Sequence, residues 1–352
     1  MDKGFLRSIV LALLSSLLMG GWLILSMVAI QSYNTVDYYM LMSFFAFAFF
    51  LAFQAFRKKQ VRQPKPRVIA NGALFSIESI IFLSIVNSQN IVMLSALITL
   101  NIIVFTIINI FLHKEVLNKH IMARILVSSL LIIIAVDLIY TFNQSTGFTA
   151  LDPQDFYVAF LLVVLFGATN YLFSYNSKRV VNEENFIFWI LLAGFVVSTL
   201  AFASLGTGID VHRTIIYYSM AGGLLLFAGI SSMVYSYRYL AYYKNVMRFV
   251  GTNVLFLLSE TDVIFISVLY VLFGIGAINS DIIASIALIL VSMIVISTIE
   301  DKRSQTNIFT HMVTDTFNKE VTSLKSMMRR RGAHHQDTRH GKRANRRHPK
   351  RG

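Results

Sequence analysis

The feature that most constrains this chain is a series of apolar runs, each about as long as a membrane is thick. A hydrocarbon core of roughly 30 Å takes about 20 residues of helix. Ten runs of about this length follow one another, separated by short polar breaks. They are 8–30, 38–56, 68–86, 91–112, 125–142, 156–175, 186–205, 215–235, 250–272 and 282–299. Each run is long enough to cross a bilayer as a helix.

Composition and local pattern identify these runs as membrane helices. Hydrophobic residues make up 56% of the chain and charged residues 14%, whereas a soluble domain is about 25% charged. Residues 130–136 are apolar on every side, but a membrane β-barrel strand alternates apolar and polar positions. We therefore predict an all-α integral membrane protein with ten transmembrane helices. The chain contains no cysteine, which excludes disulfides and thiolate metal sites.

The charges in the loops predict the orientation of the helices. Lysine and arginine are enriched in cytoplasmic loops. If the N-terminus is cytoplasmic, the inner loops hold basic clusters such as 57–67 and 238–248. Arg213 is then the one lysine or arginine in the outer loops. This alternation predicts an even number of spans with both termini in the cytoplasm, in the plasma (inner) membrane.

The chain has two halves of similar pattern. Gly20, Gly21 and Trp22 in the first span correspond to the small and polar residues of 167–171 in the sixth. Five helices in each half is an odd number, so the halves insert in opposite senses and form inverted repeats. The predicted domains are 1–145 for the first repeat, 146–300 for the second, and 301–352 for a cytoplasmic basic tail.

The tail combines an apolar stripe with clusters of positive charge. Apolar residues recur every three or four positions over 309–328, before the clusters at 329–331 and 342–343. One interpretation is an interfacial helix that binds anionic lipid. The other is a disordered tail that fixes topology by its charge alone. No aromatic residues interleave with the clusters, so we predict no nucleic-acid binding.

The best-defined stretch of pattern runs from 75 to 140. It includes Phe82-Leu83-Ser84-Ile85-Val86, which is followed by a short break and a predicted helix. After that helix come Phe111-Leu112-His113-Lys114-Glu115 and Leu117, and then an aliphatic helix. This stretch resembles the drug/metabolite transporter superfamily, and within it the EamA-like ten-helix proteins. The resemblance implies a cavity lined mainly by helices one, three, four, six, eight and nine. The family usually has a proline within helices four and nine, but Pro64, Pro66, Pro153 and Pro349 all lie outside the runs.

Four acidic residues fall inside the apolar runs. They are Glu78, Asp137, Glu260 and Asp262. A charge at mid-bilayer costs roughly 2.5–3.5 kcal/mol even on lenient scales, so each acid needs a structural or functional reason. Desolvation disfavours the charged carboxylate, which makes proton coupling one interpretation. Asp137 ranks lowest, because the fifth helix of the resembled family lies towards the outside.

The candidate substrate-binding residues are the polar and aromatic residues deepest in their runs. They are Glu78, Asn101, Glu260, Asp262, Trp22 and Asn170. Glu78, Asn101 and Glu260 each lie about ten residues into a run, and the repeat places Asn101 and Glu260 at corresponding points. A structural alternative applies to each residue: a protonated carboxyl or an amide can hydrogen-bond a neighbouring helix, and Trp22 can serve packing alone.

The sequence offers no pattern for catalysis. All eight histidines lie outside the apolar runs, and no metal-ligand spacing or phosphate-binding loop occurs. We predict no enzyme, no catalytic residue, no metal and no cofactor. The predicted function is a secondary transporter that exports or exchanges a small metabolite through a midplane cavity. The alternative is a non-transporting scaffold or flippase accessory subunit. The predicted partners are a small-molecule substrate and the bilayer, with a homodimer left open.

Overall fold

The computed structural model describes most of the apolar part of the chain. Described are residues 3–57, 66–86, 90–112, 119–145, 153–179, 182–206, 208, 213–242, 258, 261–273 and 280–297. Every regular element within these ranges is an α-helix. The helices are α1 Lys3–Ile30, α2 Thr35–Arg57, α3 Pro66–Ile85, α4 Ile91–Ile98, α5 Asn101–Leu112, α6 Lys119–Ser145, α7 Pro153–Arg179, α8 Glu183–Leu205, α9 Arg213–Tyr242, α10 Asp262–Leu272 and α11 Ser280–Ser297.

The helices confirm an all-α, multi-pass integral membrane protein. Within the described residues, eight helical segments are long and apolar enough to cross a bilayer, with α4 and α5 together forming one of them. Two shorter apolar helices, α10 and α11, follow in the last two predicted runs. The first part of the ninth run, including Glu260, lies outside the described residues except for Leu258.

Helices α1, α3, α7 and α9 form a closed set of contacts, in which α1 and α7 each pack against both α3 and α9. Helix α9 contacts α1 and α2, while α3 contacts α7 and α8. Helix α7 also packs on α5, α1 packs on α10, and α6 pairs with α11. Leu126, Leu130 and Ile133 of α6 are exposed. Such apolar side chains are stable there because lipid is the surrounding solvent.

Small residues allow two of the central helix pairs to approach closely. A β-carbon added at Gly72 of α3 would lie 2.6 Å from the carbonyl oxygen of Ile190 in α8. One added at Gly223 of α9 would lie 2.7 Å from the carbonyl oxygen of Met42 in α2. Membrane helices gain stability from packing rather than from hydrophobic exclusion, so backbone contact of this kind is favourable.

The run 91–112, predicted as one helix, is interrupted at Thr99 and Leu100. The N–H of Ile102 donates to the carbonyl oxygen of Thr99 at 3.1 Å, a tighter three-residue spacing than that of an α-helix. The hydroxyl of Thr99 also donates to the carbonyl oxygen of Ser95 at 2.9 Å. A threonine hydroxyl bonded back to the preceding turn bends a helix. This bond lies at the interruption, where the chain has no proline.

The chain divides into a unit Met1–Ile299 and a unit Glu300–Gly352. The first unit contains all the helices given above. The predicted amphipathic stretch and the basic clusters belong to the second unit and lie outside the described residues. Glu115 and His113, which carry part of the family resemblance, also lie outside them.

Candidate functional site: a cavity between the helices

A cavity of about 90 Å³ lies between the central helices. Its lining residues come from α1, α3, α4, α5, α7, α9 and α10, and from the turn between α4 and α5. Measured in the same way, a cavity that holds a single water molecule has a volume of about 10–15 Å³. The cavity is therefore large enough for a small solute. The surface is mostly apolar with a few polar groups, which is the usual composition of a ligand pocket.

Aromatic rings form much of the cavity wall. Five of the lining residues are aromatic: Trp22, Phe75, Phe82, Phe166 and Phe173. The Trp22 and Phe75 rings lie 6.4 Å apart, and the Phe82 and Phe166 rings meet edge to face at 6.3 Å. The indole N–H of Trp22 donates to the sulfur of Met42 at 2.8 Å, which fixes the orientation of the ring. The wall is thus held in place by contacts among its own members and with α2.

The interruption between α4 and α5 brings three polar residues to the cavity. Ser95, Thr99 and Asn101 all contribute to the lining. Ser95 is 8% exposed, and its hydroxyl oxygen has no hydrogen-bond partner among the described residues. A buried hydroxyl without a partner is costly. Because Ser95 lines the cavity, a solute or a water molecule in the cavity can form a hydrogen bond with its hydroxyl group.

The beginning of α10 supplies the only acidic residue among those lining the cavity in the described part of the chain. Helix α10 begins at Asp262, where a carboxylate oxygen accepts the N–H of Val263 at 2.9 Å. The preceding Thr261 hydroxyl lies 3.0 Å from that of Ser16 in α1 and donates to the carbonyl oxygen of Leu258 at 2.7 Å. These bonds fix the start of α10 against α1, and Asp262 with it.

The Asn71 amide joins α3 to the turn of α7 that faces the cavity. With the amide oriented to satisfy both neighbours, its nitrogen donates to the carbonyl oxygen of Thr169 at 3.2 Å and its oxygen accepts the N–H of Phe173 at 3.1 Å. Asn170, between these two positions, lines the cavity. The clamp therefore positions a polar residue and an aromatic residue of the site.

Two glycines allow neighbouring helices of the cavity wall to approach closely. A β-carbon at Gly20 would lie 3.2 Å from the β-carbon of Phe265, where α1 meets α10. A β-carbon at Gly167 would lie 2.6 Å from the β-carbon of Val104, where α7 meets α5. Larger side chains at these positions would push the walls of the cavity apart.

The structure brings four of the six predicted site residues together. Trp22, Asn101, Asn170 and Asp262 all line the cavity. Asn101, the deepest polar residue of the fourth run, is 1% exposed. No described feature identifies what these residues bind, so their role in substrate binding stays a prediction.

Glu78 is buried in α3 but is not a lining residue of the cavity. Helical spacing places it on the side of α3 that also carries Phe75 and Phe82. The other predicted acid of the site, Glu260, is outside the described residues. Asp137 lies on an exposed position of α6, away from the lining residues.

Sequence reasoning missed the two hydroxyl residues, Ser95 and Thr99, and the phenylalanines of the wall. Serine and threonine are common in membrane helices, and phenylalanine is an ordinary packing residue. The four-residue spacing of Ser95 and Thr99, directly before Asn101, was the available signal. Among the described residues, no group of three or more histidine, aspartate or glutamate side chains could hold a metal ion.

Comparisons with known proteins establish the fold alone. No protein-family model and no curated protein matches the chain. Its fold matches 27 chains of solved structures. One of these, a protein of known crystal structure, is 16% identical with a TM-score of 0.60, over 85% of this chain and 99% of its own length. The helical architecture is therefore shared over most of both chains.

Proposed function

We propose that this protein is a secondary transporter that carries a small solute through the cavity between α1, α3, α4, α5, α7, α9 and α10. The observation that carries the proposal is the coincidence of the cavity with two helix ends. Helices α5 and α10 begin at Asn101 and Asp262, and both residues line the cavity. Interrupted helices that present polar groups at a midplane cavity are a recurring arrangement in transporters.

The pattern of helix contacts supports ten spans arranged as two inverted repeats. If each span corresponds to the one five places later, the contact of α1 with α9 corresponds to that of α7 with α3. The contact of α2 with α9 then corresponds to that of α8 with α3, and the contact of α5 with α7 to that of α10 with α1. Each of these contacts has its counterpart, as a pseudo-two-fold axis requires.

The contact between α6 and α11 supports the same axis. The Ser128 hydroxyl donates to the carbonyl oxygen of Ser292 at 2.7 Å, and the Ser292 hydroxyl donates to that of Ser128 at 3.1 Å. Across a two-fold axis, residue i contacts j as j contacts i. The fifth and tenth spans correspond to each other in this repeat, so a reciprocal pair is expected between them.

Glycine contacts refine the correspondence between the two halves. Gly20 approaches Phe265 and Gly167 approaches Val104, which pairs the first and sixth spans as the sequence predicted. With Val104 matched to Phe265, Asn101 corresponds to Asp262 by the same spacing. The proposal therefore replaces the predicted pairing of Asn101 with Glu260 by one of Asn101 with Asp262.

The resemblance to the EamA-like transporters also supports the proposal. The cavity is lined by the spans that the resemblance implies, namely one, three, four, six, eight and nine. The proline that the family usually has in the fourth span is absent here, and in this proposal the Thr99 hydroxyl bond bends that span instead. In this proposal both termini are cytoplasmic, by the distribution of lysine and arginine, and buried Glu78 is a candidate for proton coupling.

The test is solute flux by purified protein in proteoliposomes. We expect accelerated flux or exchange of at least one small metabolite from a panel of cations, anions and neutral solutes, measured with and without a pH gradient. The matched pair is Gly167→Leu, which displaces the cavity wall, and Gly21→Leu, where an added β-carbon would meet the flexible end of Leu225 at 3.7 Å. Flux should fall at least about tenfold in the first variant alone.

If the protein is instead a scaffold or an accessory subunit, we expect no solute flux from the isolated protein. Folded protein that moves no solute of the panel, and that co-purifies with a stoichiometric membrane partner, would overturn the transporter proposal. Equal flux from wild type and Gly167→Leu would show that any transport does not pass through this cavity.

A further inference from the structure

A second, smaller cavity lies among α2, α3, α8 and α9, and we call it the side chamber. Its volume is about 10 Å³. Its polar lining consists of Tyr39 and Ser43 of α2 and Ser76 of α3, and its other lining residues are apolar or glycine. Phe75 and Ile230 line both the side chamber and the larger cavity, so the two spaces are neighbours.

The hydroxyl group of Ser43 is the first sign that the side chamber binds a ligand. Ser43 is 5% exposed, and its hydroxyl oxygen has no hydrogen-bond partner of good geometry among the described residues. A serine inside a helix can bond back to the preceding turn, as the Ser79 hydroxyl does to the carbonyl oxygen of Phe75 at 2.6 Å. Ser43 makes no such bond, and a buried hydroxyl left without one is costly. A polar ligand in the chamber would remove that cost.

Tyr39 and Ser76 place two more hydroxyl groups at the same chamber. The Tyr39 hydroxyl donates to the hydroxyl oxygen of Ser76 at 3.2 Å. This bond uses the one proton of the Tyr39 hydroxyl, whose oxygen keeps its capacity to accept a bond. A β-carbon at Gly194 of α8 would lie 2.7 Å from the Ser76 hydroxyl oxygen, so glycine at this position leaves room for that hydroxyl. Three hydroxyl groups from two helices therefore surround one small space.

We propose that the side chamber binds one ordered water molecule, which accepts a hydrogen bond from Ser43 and donates to Tyr39 and Ser76. A buried water requires about 10–15 Å³ and two to four polar partners. The chamber provides about 10 Å³, the lower end of that range, so a larger solute does not fit. Among the described residues no charged side chain lines the chamber, which disfavours an ion of similar size. The water links α2 to α3 and goes beyond the transport function proposed above.

The direction of the stability change in Ser43→Ala tests for the water. If the hydroxyl bonds a water, alanine removes that bond, and the midpoint of thermal unfolding in detergent should fall. In a dry chamber alanine would remove an unpartnered polar group, and the midpoint would stay the same or rise. The control is Ser219→Ala in α9, which removes another buried hydroxyl without a partner among the described residues, outside both cavity linings. A Ser43→Ala midpoint no lower than that of wild type or of Ser219→Ala would overturn the inference.

Radiolytic labelling of the full-length protein detects the water itself. X-rays convert a bound water into a hydroxyl radical that oxidises the adjacent side chain, and mass spectrometry locates the product. Tyr39 and Tyr38 form a matched pair, because they are 1% and 0% exposed. Tyr38 lines neither cavity, and its hydroxyl lies 3.1 Å from that of Ser26. We expect at least about fivefold more oxidation of Tyr39 than of Tyr38, and equal oxidation would contradict the water site.

A second variant, Ser43→Val, connects the labelling to the chamber. Valine removes one of the three hydroxyl groups and adds an apolar group beside the space, so the water should be displaced. We expect oxidation of Tyr39 to fall at least about threefold, towards that of Tyr38. Unchanged oxidation of Tyr39 in this variant would show that the radical does not come from a water at Ser43, and would overturn the inference. Neither readout involves solute flux, so the water site and the transport proposal stand or fail separately.

Discussion

At the scale of single residues, the candidate site depends on buried polar groups whose partners come from other helices. Asn71 is the clearest example, because its one amide bonds both a carbonyl oxygen and an N–H of α7. Sequence position alone could indicate that a buried asparagine has an interhelical role. It could not indicate which helix it meets, because that depends on packing of α3 against α7.

Replacing Asn71 with leucine tests the clamp. The substitution keeps a similar volume but removes both interhelical hydrogen bonds, so we expect the protein to lose about 1–2 kcal/mol of stability. The measurement is the midpoint of thermal unfolding in detergent. The control is Ser198→Ala, because among the described residues the Ser198 hydroxyl bonds within its own helix, to the carbonyl oxygen of Phe195. Equal midpoints for the two variants would contradict the clamp.

Replacing Glu78 with glutamine tests the proposal of proton coupling. Glutamine has nearly the same shape, so Glu78→Gln should fold normally while losing the ability to exchange a proton. We expect flux that no longer responds to a pH gradient, measured in proteoliposomes. Asp37→Asn is the matched control, because Asp37 is also a buried acid, 4% exposed, but lies in the first turn of α2 rather than in the middle of a span. A wild-type pH response in Glu78→Gln would end this role for Glu78.

At the scale of the helix, the sequence predicts where a helix occurs better than it predicts whether that helix is continuous. A run of about twenty apolar residues is enough to require a helix in lipid, because the backbone must satisfy its own hydrogen bonds. The described helices accordingly extend only a few residues beyond the predicted runs at most ends, as α8 does at Glu183. The interruption at Thr99 was missed, because an apolar pattern does not reveal where the hydrogen bonding of a helix changes inside a run.

Thr99→Val tests whether this bend shapes the cavity. Valine has the same shape without the hydroxyl, so the bond to Ser95 is lost and the fourth span should straighten. We expect flux to fall about tenfold while the protein remains folded, because Ser95 and Asn101 lose their relative positions. Thr199→Val is the control: its hydroxyl makes the same four-residue bond, to Phe195, on an exposed part of α8. Equal flux from both variants would mean that the bend is incidental.

At the scale of the whole molecule, the proposed two-fold relation organises both packing and movement. The halves share little obvious sequence, and the prediction rested on matching small residues such as Gly20 and Gly167. Reciprocal contact between Ser128 and Ser292 is a consequence of three-dimensional pairing that no local pattern contains. In alternating access, contacts next to the axis should change least, while contacts at one end of the bundle must open.

The absence of cysteine from the chain allows this movement to be tested with introduced pairs. Ser128→Cys with Ser292→Cys links α6 to α11 beside the proposed axis, and we expect the crosslinked protein to keep most of its flux. Arg67→Cys with Asn176→Cys links α3 to α7 where the Asn176 amide donates to the carbonyl oxygen of Arg67 at 3.3 Å. A short thiol crosslinker there should reduce flux at least about tenfold, with recovery upon cleavage of the link. Rocking about this axis is contradicted if the first crosslink blocks flux or the second leaves it unchanged.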